Sequence, residues 1–278
     1  MLSPRRVIAQ AQAVLPEAAC AGYQQGVDAY SRRAYQTAFR CWSALAEQGD
    51  ARAQYGLAVL LERGEGVRRD LEEALEWYRK AARQGVTDAQ YNLALLYLDG
   101  IGVKADPAQA VRWFGLAAEQ GDREAQYRLA RCYDQATGLA RDAQRAAHWY
   151  RQAAQQGHAA AGNCLGDMYR TGDGVPQDYA EAYRWFSSAA RQGHGYAQVN
   201  LGYLYDKGLG VTEDPELALN WYREAALHGD PMAQYNLAEL FRIGRGTVPD
   251  SGQAVRWYRK AAAQGHPGAV RRLRQMAN

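Results

Sequence analysis

The spacing of apolar residues along this chain is typical of α-helices, and residues 86–121 show it most clearly. A first stripe has the i, i+4, i+7 and i+8 spacing of one helix face and consists of Ala89, Leu93, Leu96 and Tyr97. A second stripe consists of Ala110, Trp113, Phe114, Ala117 and Ala118. Gly100 and Gly102 lie between the stripes, and Asp106-Pro107 is typical of a helix start. The pattern predicts two helices joined by a glycine loop.

The two-helix unit recurs every 36 residues. The motif Ala-Gln-Tyr begins at Ala53, Ala89, Ala125 and Ala233 and is weaker at Ala161 and Ala197. A tryptophan followed by Tyr or Phe keeps the same spacing at Trp77, Trp113, Trp149, Trp185, Trp221 and Trp257. Closing glycines delimit six repeats at residues 50–85, 86–121, 122–157, 158–193, 194–229 and 230–265. One helix pair cannot bury both stripes alone, so neighbouring repeats must stack. We therefore predict an all-α fold, a right-handed α/α superhelix (solenoid) of tandem helix-turn-helix repeats.

Both ends depart from the repeat as the caps of a stack should. Residues 1–16 form a poorly defined N-terminal segment, and residues 17–49 are predicted to be a capping helix pair joined through residues 31–33 without the glycine loop. Residues 266–278 are predicted to supply a C-terminal capping helix. Three arginines make this helix polar enough to face water, namely Arg271, Arg272 and Arg274.

The repeat resembles the unit of the Sel-one-like repeat proteins, a branch of the tetratricopeptide superfamily. Its usual form is A-x-x-L-G-x-x-Y-x-x-G-x-G-V-x-x-D-x-x-x-A-x-x-W-Y-x-x-A-A-x-x-G. The repeat at 194–229 matches it at Ala197, Leu201, Gly202, Tyr205, Gly208, Gly210, Val211, Asp214, Ala218, Trp221, Tyr222, Ala225, Ala226 and Gly229. The resemblance covers residues 50–265 and implies the superhelix and a general adaptor role. Family members include signalling scaffolds, virulence factors and immunity proteins against secreted toxins.

One repeat departs from the family pattern. Ala136 stands where the first loop glycine belongs, so we expect a distorted loop at residues 135–138. The tryptophans are expected to be buried, and Trp149→Ala is expected to cost about 3–5 kcal/mol through the cavity that it leaves.

Composition excludes several classes of protein. The chain is 47% hydrophobic and 23% charged, with a net charge of +3 that is too small to indicate nucleic-acid binding. No run reaches the roughly 18 apolar residues of a membrane span. The four cysteines have no regular spacing and are interpreted as mostly buried thiols, although a bridge between Cys132 and Cys164 stays open. Gln10 and Pro16 interrupt the apolar start, so a cytoplasmic location is predicted, with a periplasmic one as the alternative.

No constellation of catalytic residues is apparent. His158, His194 and His266 follow closing glycines, where Asp50 stands in the first repeat, and are interpreted as helix caps or solvent-exposed side chains. The Gly-x-Gly loops lie between helices and lack the strand and the third glycine of a nucleotide site. We predict no catalytic residue, no cofactor and no metal.

Binding residues are sought where the repeats differ. Positions equivalent to Arg52, Gly56, Val59 and Arg63 share one face of the first helix, which lines the concave surface in superhelices of the family it resembles. Asn suits hydrogen bonding to a ligand backbone, and Arg and Tyr dominate binding hot spots. The predicted partner-binding residues are Asn92, Leu95, Asp99, Arg128, Arg131, Asp167, Asn200, Tyr203, Lys207, Asn236 and Glu239. An ordinary solvated face is the alternative.

The leading functional hypothesis is a non-catalytic scaffold or adaptor that binds a partner protein or peptide on its concave face. The chain is expected to be monomeric apart from that partner, and to bind no nucleic acid. A more specific alternative is an immunity protein that neutralises a bacterial toxin by direct binding. An enzyme acting on cell-wall or β-lactam substrates is a further alternative, because cysteine-rich relatives have been linked to penicillin. Those relatives carry a regular disulfide in most units, which this chain lacks.

Overall fold

Every regular element is a helix in the computed structural model, which describes residues 22–277. The fifteen helices of this range are α1 (Tyr23–Ser31), α2 (Tyr35–Glu47), α3 (Ala51–Arg63), α4 (Leu71–Arg83), α5 (Thr87–Asp99), α6 (Pro107–Glu119), α7 (Arg123–Gln135), α8 (Ala143–Gln155), α9 (Ala159–Thr171), α10 (Tyr179–Arg191), α11 (Gly195–Lys207), α12 (Pro215–Leu227), α13 (Pro231–Ile243), α14 (Ser251–Ala263) and α15 (Pro267–Ala277). Two compact units, divided between Arg141 and Asp142, each contain consecutive helices packed in tandem. The predicted all-α fold of tandem helix pairs is confirmed. The predicted segment 1–16 and the start of the capping pair lie outside the described residues.

Each repeat has a first helix that ends at a left-handed residue and a second helix that begins at an aspartate. In the repeat at 86–121 these are α5 and α6, and Gly100 ends α5 with a φ of 70°. The Asp106 carboxylate accepts a hydrogen bond from the Gln109 backbone N–H at 3.1 Å and caps α6 as predicted. The first helices are α3, α5, α7, α9, α11 and α13.

Ala136 occupies the first glycine position without distorting its loop. Its φ of 56° and ψ of 35° lie in the same left-handed region as those of Gly100. Its backbone N–H bonds to the Cys132 carbonyl, as the N–H of Gly100 bonds to that of Leu96. The expected distortion is therefore wrong. The hydrogen bonds keep the loop in shape, and the alanine bears the steric cost of a Cβ in this conformation, about 1–2 kcal/mol.

Ala136→Gly is accordingly expected to raise the free energy of unfolding by about 1 kcal/mol, because glycine adopts a positive φ without this penalty. The midpoint of urea unfolding measures the effect. Ala140→Gly is the control, since Ala140 has no positive φ and gains only unfolded-state freedom from the change. An Ala136→Gly midpoint as low as that of Ala140→Gly would contradict the strain.

The residue after each tryptophan fills the core more completely than the tryptophan does. Phe114, Phe186 and Tyr258 are 0% exposed, whereas Trp149 and Trp185 are only partly buried. The cluster around Phe186 comprises Ala182, Ala189, Ala190, Ala197, Leu201 and Leu204. The predicted burial of Trp149 is therefore wrong in degree. A large cavity is instead expected when the aromatic residue after a tryptophan is replaced by alanine.

Buried glutamines join consecutive repeats. Gln90 Nε2 donates to the Ala82 carbonyl at 3.1 Å, and Gln90 Oε1 accepts from Gln120 Nε2 at 2.7 Å. The same arrangement pairs Gln54 with Gln84 and Gln234 with Gln264. The glutamine of the Ala-Gln-Tyr motif thus satisfies a carbonyl near the end of the preceding second helix, where intrahelical donors run out.

Gln198 makes only half of this arrangement. Its Nε2 donates to the Ala190 carbonyl at 3.4 Å, but His228 stands where other repeats have the second glutamine. The buried Gln198 Oε1 has no hydrogen-bond partner in the described part of the chain.

His228→Gln is expected to supply this missing donor and to raise the free energy of unfolding by about 1 kcal/mol. The reverse change, Gln264→His, is expected to leave Gln234 Oε1 without its donor and to lower stability by a similar amount. Urea unfolding of both variants measures the effects. Shifts of the same sign in the two variants would rule out the proposed role of the glutamine pair.

The first helix pair is closed by a tryptophan of its own. Trp42, at 5% exposed, donates from Nε1 to the Tyr23 carbonyl at 3.3 Å. A short turn through Arg33, with a φ of 60°, joins α1 to α2 in place of the glycine loop, as the sequence indicates.

The cysteines are not uniform. Cys132 and Cys164 are reduced thiols, so the bridge left open between them is not formed. Cys41 is 1% exposed on α2 and is disulfide-bonded, so its interpretation as a buried thiol is wrong in the thiol and right in the burial. Cys20 lies outside the described residues.

Candidate functional site

The predicted binding residues all lie on first helices. In the unit that ends at Arg141 they are Asn92, Leu95 and Asp99 on α5, and Arg128 and Arg131 on α7. In the unit that begins at Asp142 they are Asp167 on α9, Asn200, Tyr203 and Lys207 on α11, and Asn236 and Glu239 on α13. We call these sets the first-helix faces of the two units. Asp99, Tyr203 and Lys207 are exposed, and the others are partly buried.

A polar chain crosses the first-helix face near α5. The Tyr78 hydroxyl donates to Glu62 Oε2 at 2.6 Å, and Asn92 Nδ2 donates to the Tyr78 oxygen at 3.4 Å. Burial, together with the Glu62 carboxylate, raises the pKa of Tyr78, so the phenol stays protonated and keeps donating. Asn92 therefore orders the face from within, and its carbonyl oxygen is the atom better placed for a ligand.

The arginines of α7 are held more loosely. Arg131 Nη2 donates to Gln135 Oε1 at 3.2 Å, four residues further along the same helix. Arg128 Nε is buried and has no hydrogen-bond partner among the described residues. A buried donor without a partner is costly and rare in folded proteins, so Arg128 is the least satisfied residue of this face.

Glu239 is the centre of a network on α13. Its carboxylate accepts from the Tyr258 hydroxyl at 2.5 Å, from Arg272 Nε at 2.8 Å and from Arg242 Nη2 at 2.7 Å. Burial alone would raise the pKa of Glu239, but these hydrogen bonds outweigh burial and hold that pKa below its ordinary value. Glu239 therefore stays ionised and acts within the fold.

Three further residues of this face are engaged by neighbours. Asn200 Nδ2 donates to Asn163 Oδ1 at 3.1 Å, which links α9 to α11. Arg170 Nη2 lies 2.6 Å from Asp167 Oδ1, and Lys207 Nζ lies 2.8 Å from Asp206 Oδ2. These contacts fix side-chain positions but leave the Tyr203 ring outside them.

Sequence reasoning missed the apolar residues beside Tyr203. Tyr196 is 68% exposed, Met232 is 49% exposed and Ile243 is 50% exposed. All three lie on α11 or α13 at face positions, and the first two repeats have charged residues there, such as Arg52 and Asp88. The signal was the replacement of charged by apolar residues at equivalent positions. It marks face positions of α11 and α13 that carry exposed apolar side chains.

The histidines after the closing glycines are helix caps, as predicted. Nδ1 of His158 accepts from the Ala161 backbone N–H at 3.1 Å, and that of His194 accepts from Ala197 at 3.3 Å. Burial, with a smaller contribution from the His158 charge, lowers the pKa of His194, which favours the neutral ring that can accept.

Two further features bear on chemistry. Within residues 22–277, no three His, Cys, Asp or Glu side chains are grouped so as to hold a metal ion. Within the same range, no helix is both long and apolar enough to span a membrane.

Tandem helix pairs with a framework of alanine, glycine and buried aromatic residues define an α-helical repeat protein. The family model described as Sel1 repeat matches residues 18–50, 51–86, 87–122, 123–158, 165–194, 195–230 and 231–266. The chain belongs to the Sel1 repeat family. None of the curated proteins matches it.

Solved structures share this fold. A protective antigen of uropathogenic Escherichia coli is 38% identical with a TM-score of 0.77, and the match covers 83% of this chain but 50% of the antigen, so the chain spans half its length. A Sel1 repeat protein of Oxalobacter formigenes is 30% identical with a TM-score of 0.80, over 87% of this chain and all of that one, 100%. An immunity protein of Pseudomonas aeruginosa is more distant, at 24% identity and a TM-score of 0.44 over 78% of this chain and 82% of that one.

Proposed function

We propose that this protein is a non-catalytic scaffold that binds a partner protein or peptide through its first-helix faces. The observation that carries the proposal is the exposure of four large apolar side chains at first-helix face positions of α11 and α13, namely Tyr196, Tyr203, Met232 and Ile243. Exposed Tyr and Met side chains support a binding role, because both residue types are enriched at protein interfaces. Membership of the Sel1 repeat family supports this role, because tandem helical repeats bind through extended, variable surfaces.

The polar residues of the same unit support a binding role over a catalytic one. The pKa of Glu239 is lowered, and its carboxylate oxygens accept hydrogen bonds from Tyr258, Arg242 and Arg272. A general base needs a lone pair directed at substrate. Glu239 instead holds α13, α14 and α15 together, which keeps the face rigid and lowers the entropy cost of binding.

Site-specific photocross-linking in the native host tests this proposal. A photoreactive phenylalanine analogue replaces Tyr203 in one variant and Leu227 in the other. Leu227 is the matched control, because it is 65% exposed on the second helix α12, away from the first-helix faces. We expect one protein to be captured from position 203 and not from position 227. The identity of the captured protein separates scaffolding from toxin neutralisation. Equal capture from both positions would contradict binding through this face.

With that partner in hand, Tyr203→Ala is expected to weaken the complex by about 2 kcal/mol, roughly thirtyfold in Kd. The reason is the loss of a large, rigid anchor from an otherwise ordered surface. Leu227→Ala should leave Kd unchanged, and both variants should unfold at the midpoint of the original protein. Isothermal titration calorimetry measures the affinities.

For the compartment, the Cys41 disulfide favours the periplasmic alternative, because disulfides persist in oxidising compartments and are rare in the cytoplasm. A fusion to alkaline phosphatase, which is active only after export, tests this location. An inactive fusion that accumulates in the cytoplasm would support the cytoplasmic location instead.

A further inference from the structure

Three side chains around Glu239 provide an internal reference for Arg128. Arg272, on α15, directs Nε to the Glu239 carboxylate at 2.8 Å. The same carboxylate accepts from the Tyr258 hydroxyl and from Arg242. This arrangement shows how a repeat of this fold satisfies an arginine at this register position: the preceding first helix supplies the carboxylate.

Arg128 occupies the same register position four repeats earlier, but apolar residues stand at three equivalent positions. Leu95, Leu98 and Phe114 stand at the positions of Glu239, Arg242 and Tyr258. The carboxylate that accepts from Arg272, and the hydroxyl that donates to that carboxylate, thus have no counterparts beside Arg128 at these positions. Phe114 is fully buried, whereas Leu95 and Leu98 are partly buried. The buried Arg128 Nε consequently has no hydrogen-bond partner among the described residues.

The preceding repeat has hydrogen bonds at the positions where Arg128 and its neighbours have none among those described. One repeat before Leu98, Phe114 and Arg128 stand Glu62, Tyr78 and Asn92, and these three are joined by hydrogen bonds of 2.6 and 3.4 Å. One repeat later, leucine and phenylalanine replace the glutamate and the tyrosine, and the cationic Arg128 replaces the neutral asparagine. The buried Nε–H of the partly buried Arg128 has no acceptor among the described residues, which is costly unless an acceptor is supplied.

We propose that Arg128, with Arg131 one turn further along α7, forms a carboxylate-binding site for a glutamate or aspartate side chain of the partner. This inference rests on the proposed function and names the partner's chemistry in the unit that ends at Arg141. The incoming carboxylate takes the place that Glu239 has beside Arg272. Arg131, which donates to the neutral amide of Gln135 and lies over the Tyr127 ring, adds a second cation. A hydrogen bond between a guanidinium and a carboxylate is charge-assisted and stronger than one between neutral groups.

We expect a side-chain carboxylate at this site because the equivalent position beside Arg272 holds the side-chain carboxylate of Glu239. Asp88 and Asp99 lie on the same face, toward the two ends of α5, and both are exposed. They are equivalent to Arg52 and Arg63 of the preceding repeat, and they lie before and after Leu95 along α5. The partner segment therefore meets a basic centre between acidic ends, which favours one acidic residue over an acidic run.

NMR of the arginine Nε–Hε groups in the full chain tests the site directly. The Arg128 signal is assigned by its loss in Arg128→Lys. We expect N-acetyl-glutamate methylamide, which carries only a side-chain carboxylate, to shift this signal in a saturable way. The glutamine analogue, which is neutral and of the same shape, is expected to leave it in place. Equal shifts with both compounds, or none with the glutamate compound, would overturn the proposal. A larger shift with N-acetyl-alanine, whose only carboxylate is C-terminal, would overturn the assignment to a side chain.

Thermal unfolding of paired variants gives an independent test. Arg128→Leu is expected to leave Tm unchanged or to raise it, because it removes an unsatisfied buried donor. Arg272→Leu is expected to lower Tm, because Glu239 loses its partner. Equal losses in the two variants would show that Arg128 has an internal structural role and would overturn the proposal.

Leu95→Glu places a carboxylate where Glu239 stands in the reference arrangement. We expect this variant to have a higher Tm than Leu95→Gln and to lose the response of the Arg128 signal to the glutamate compound. If Leu95→Glu and Leu95→Gln both respond like the original protein, the site does not lie beside position 95. These measurements need no natural partner, so their failure is distinguishable from failure of the cross-linking at Tyr203.

Discussion

Phe186→Ala is expected to lower the free energy of unfolding by about 3–5 kcal/mol, one of the two largest effects expected for any substitution considered. Phe186 is 0% exposed and packs among Ala182, Ala189, Leu201 and Leu204. Helix backbones surround the ring closely, so they cannot collapse to fill the cavity. The close approach is visible at Gly166, where a Cβ would lie 2.7 Å from the Phe186 ring.

Urea unfolding of Phe186→Ala measures this cost, and Tyr196→Ala is the matched control. Tyr196 is an aromatic residue of the same unit that is 68% exposed, so its loss should change stability by less than about 0.5 kcal/mol. If the two variants unfold at the same urea concentration, the residue after the tryptophan does not anchor the core.

Gly210→Ala is expected to lower the free energy of unfolding by roughly 2–5 kcal/mol, the sum of a left-handed backbone penalty and a steric clash. The φ of Gly210 is 70°, and a Cβ there would lie 2.3 Å from the carbonyl carbon of Tyr179 and 2.4 Å from its oxygen. Because both contacts are with backbone at the start of α10, no rotamer change relieves them. The second loop glycine thus allows a loop to lie on the helix of the preceding repeat.

Gly193→Ala separates the two contributions. Its φ is 82°, but nothing lies within 4 Å of the added Cβ, so only the backbone penalty of about 1–2 kcal/mol applies. Urea unfolding of both variants measures the difference. Equal losses for Gly193→Ala and Gly210→Ala would show that contact with Tyr179 does not explain the second glycine.

Local signals were sufficient for the helices and their boundaries. The capping of α6 by Asp106, the end of α5 at Gly100 and the caps at His158 and His194 depend on residues within a few positions of each other. Periodicity repeated at a constant spacing then identified which faces must be buried. The tandem helix pairs and the Sel1 repeat family follow from these regularities.

Other features depended on contacts between distant residues. Ala136 keeps its loop because hydrogen bonds outweigh a local steric preference. The greater burial of Phe114 than of Trp149 depends on the direction of each side chain relative to the neighbouring repeats. The disulfide of Cys41 has no local pattern that identifies it.

The sequence by itself determined the repeat, the caps, the family and the face on which binding is sought, because each of these is encoded by short-range spacing. Only the tertiary structure decided which face residues are already used. Glu239 is taken up by Tyr258 and Arg272, from helices that follow α13, whereas Arg128 has no such partner for Nε among the described residues. The physical reason is that hydrogen-bond satisfaction depends on side chains about 14 to 33 residues apart, which stacking alone brings together.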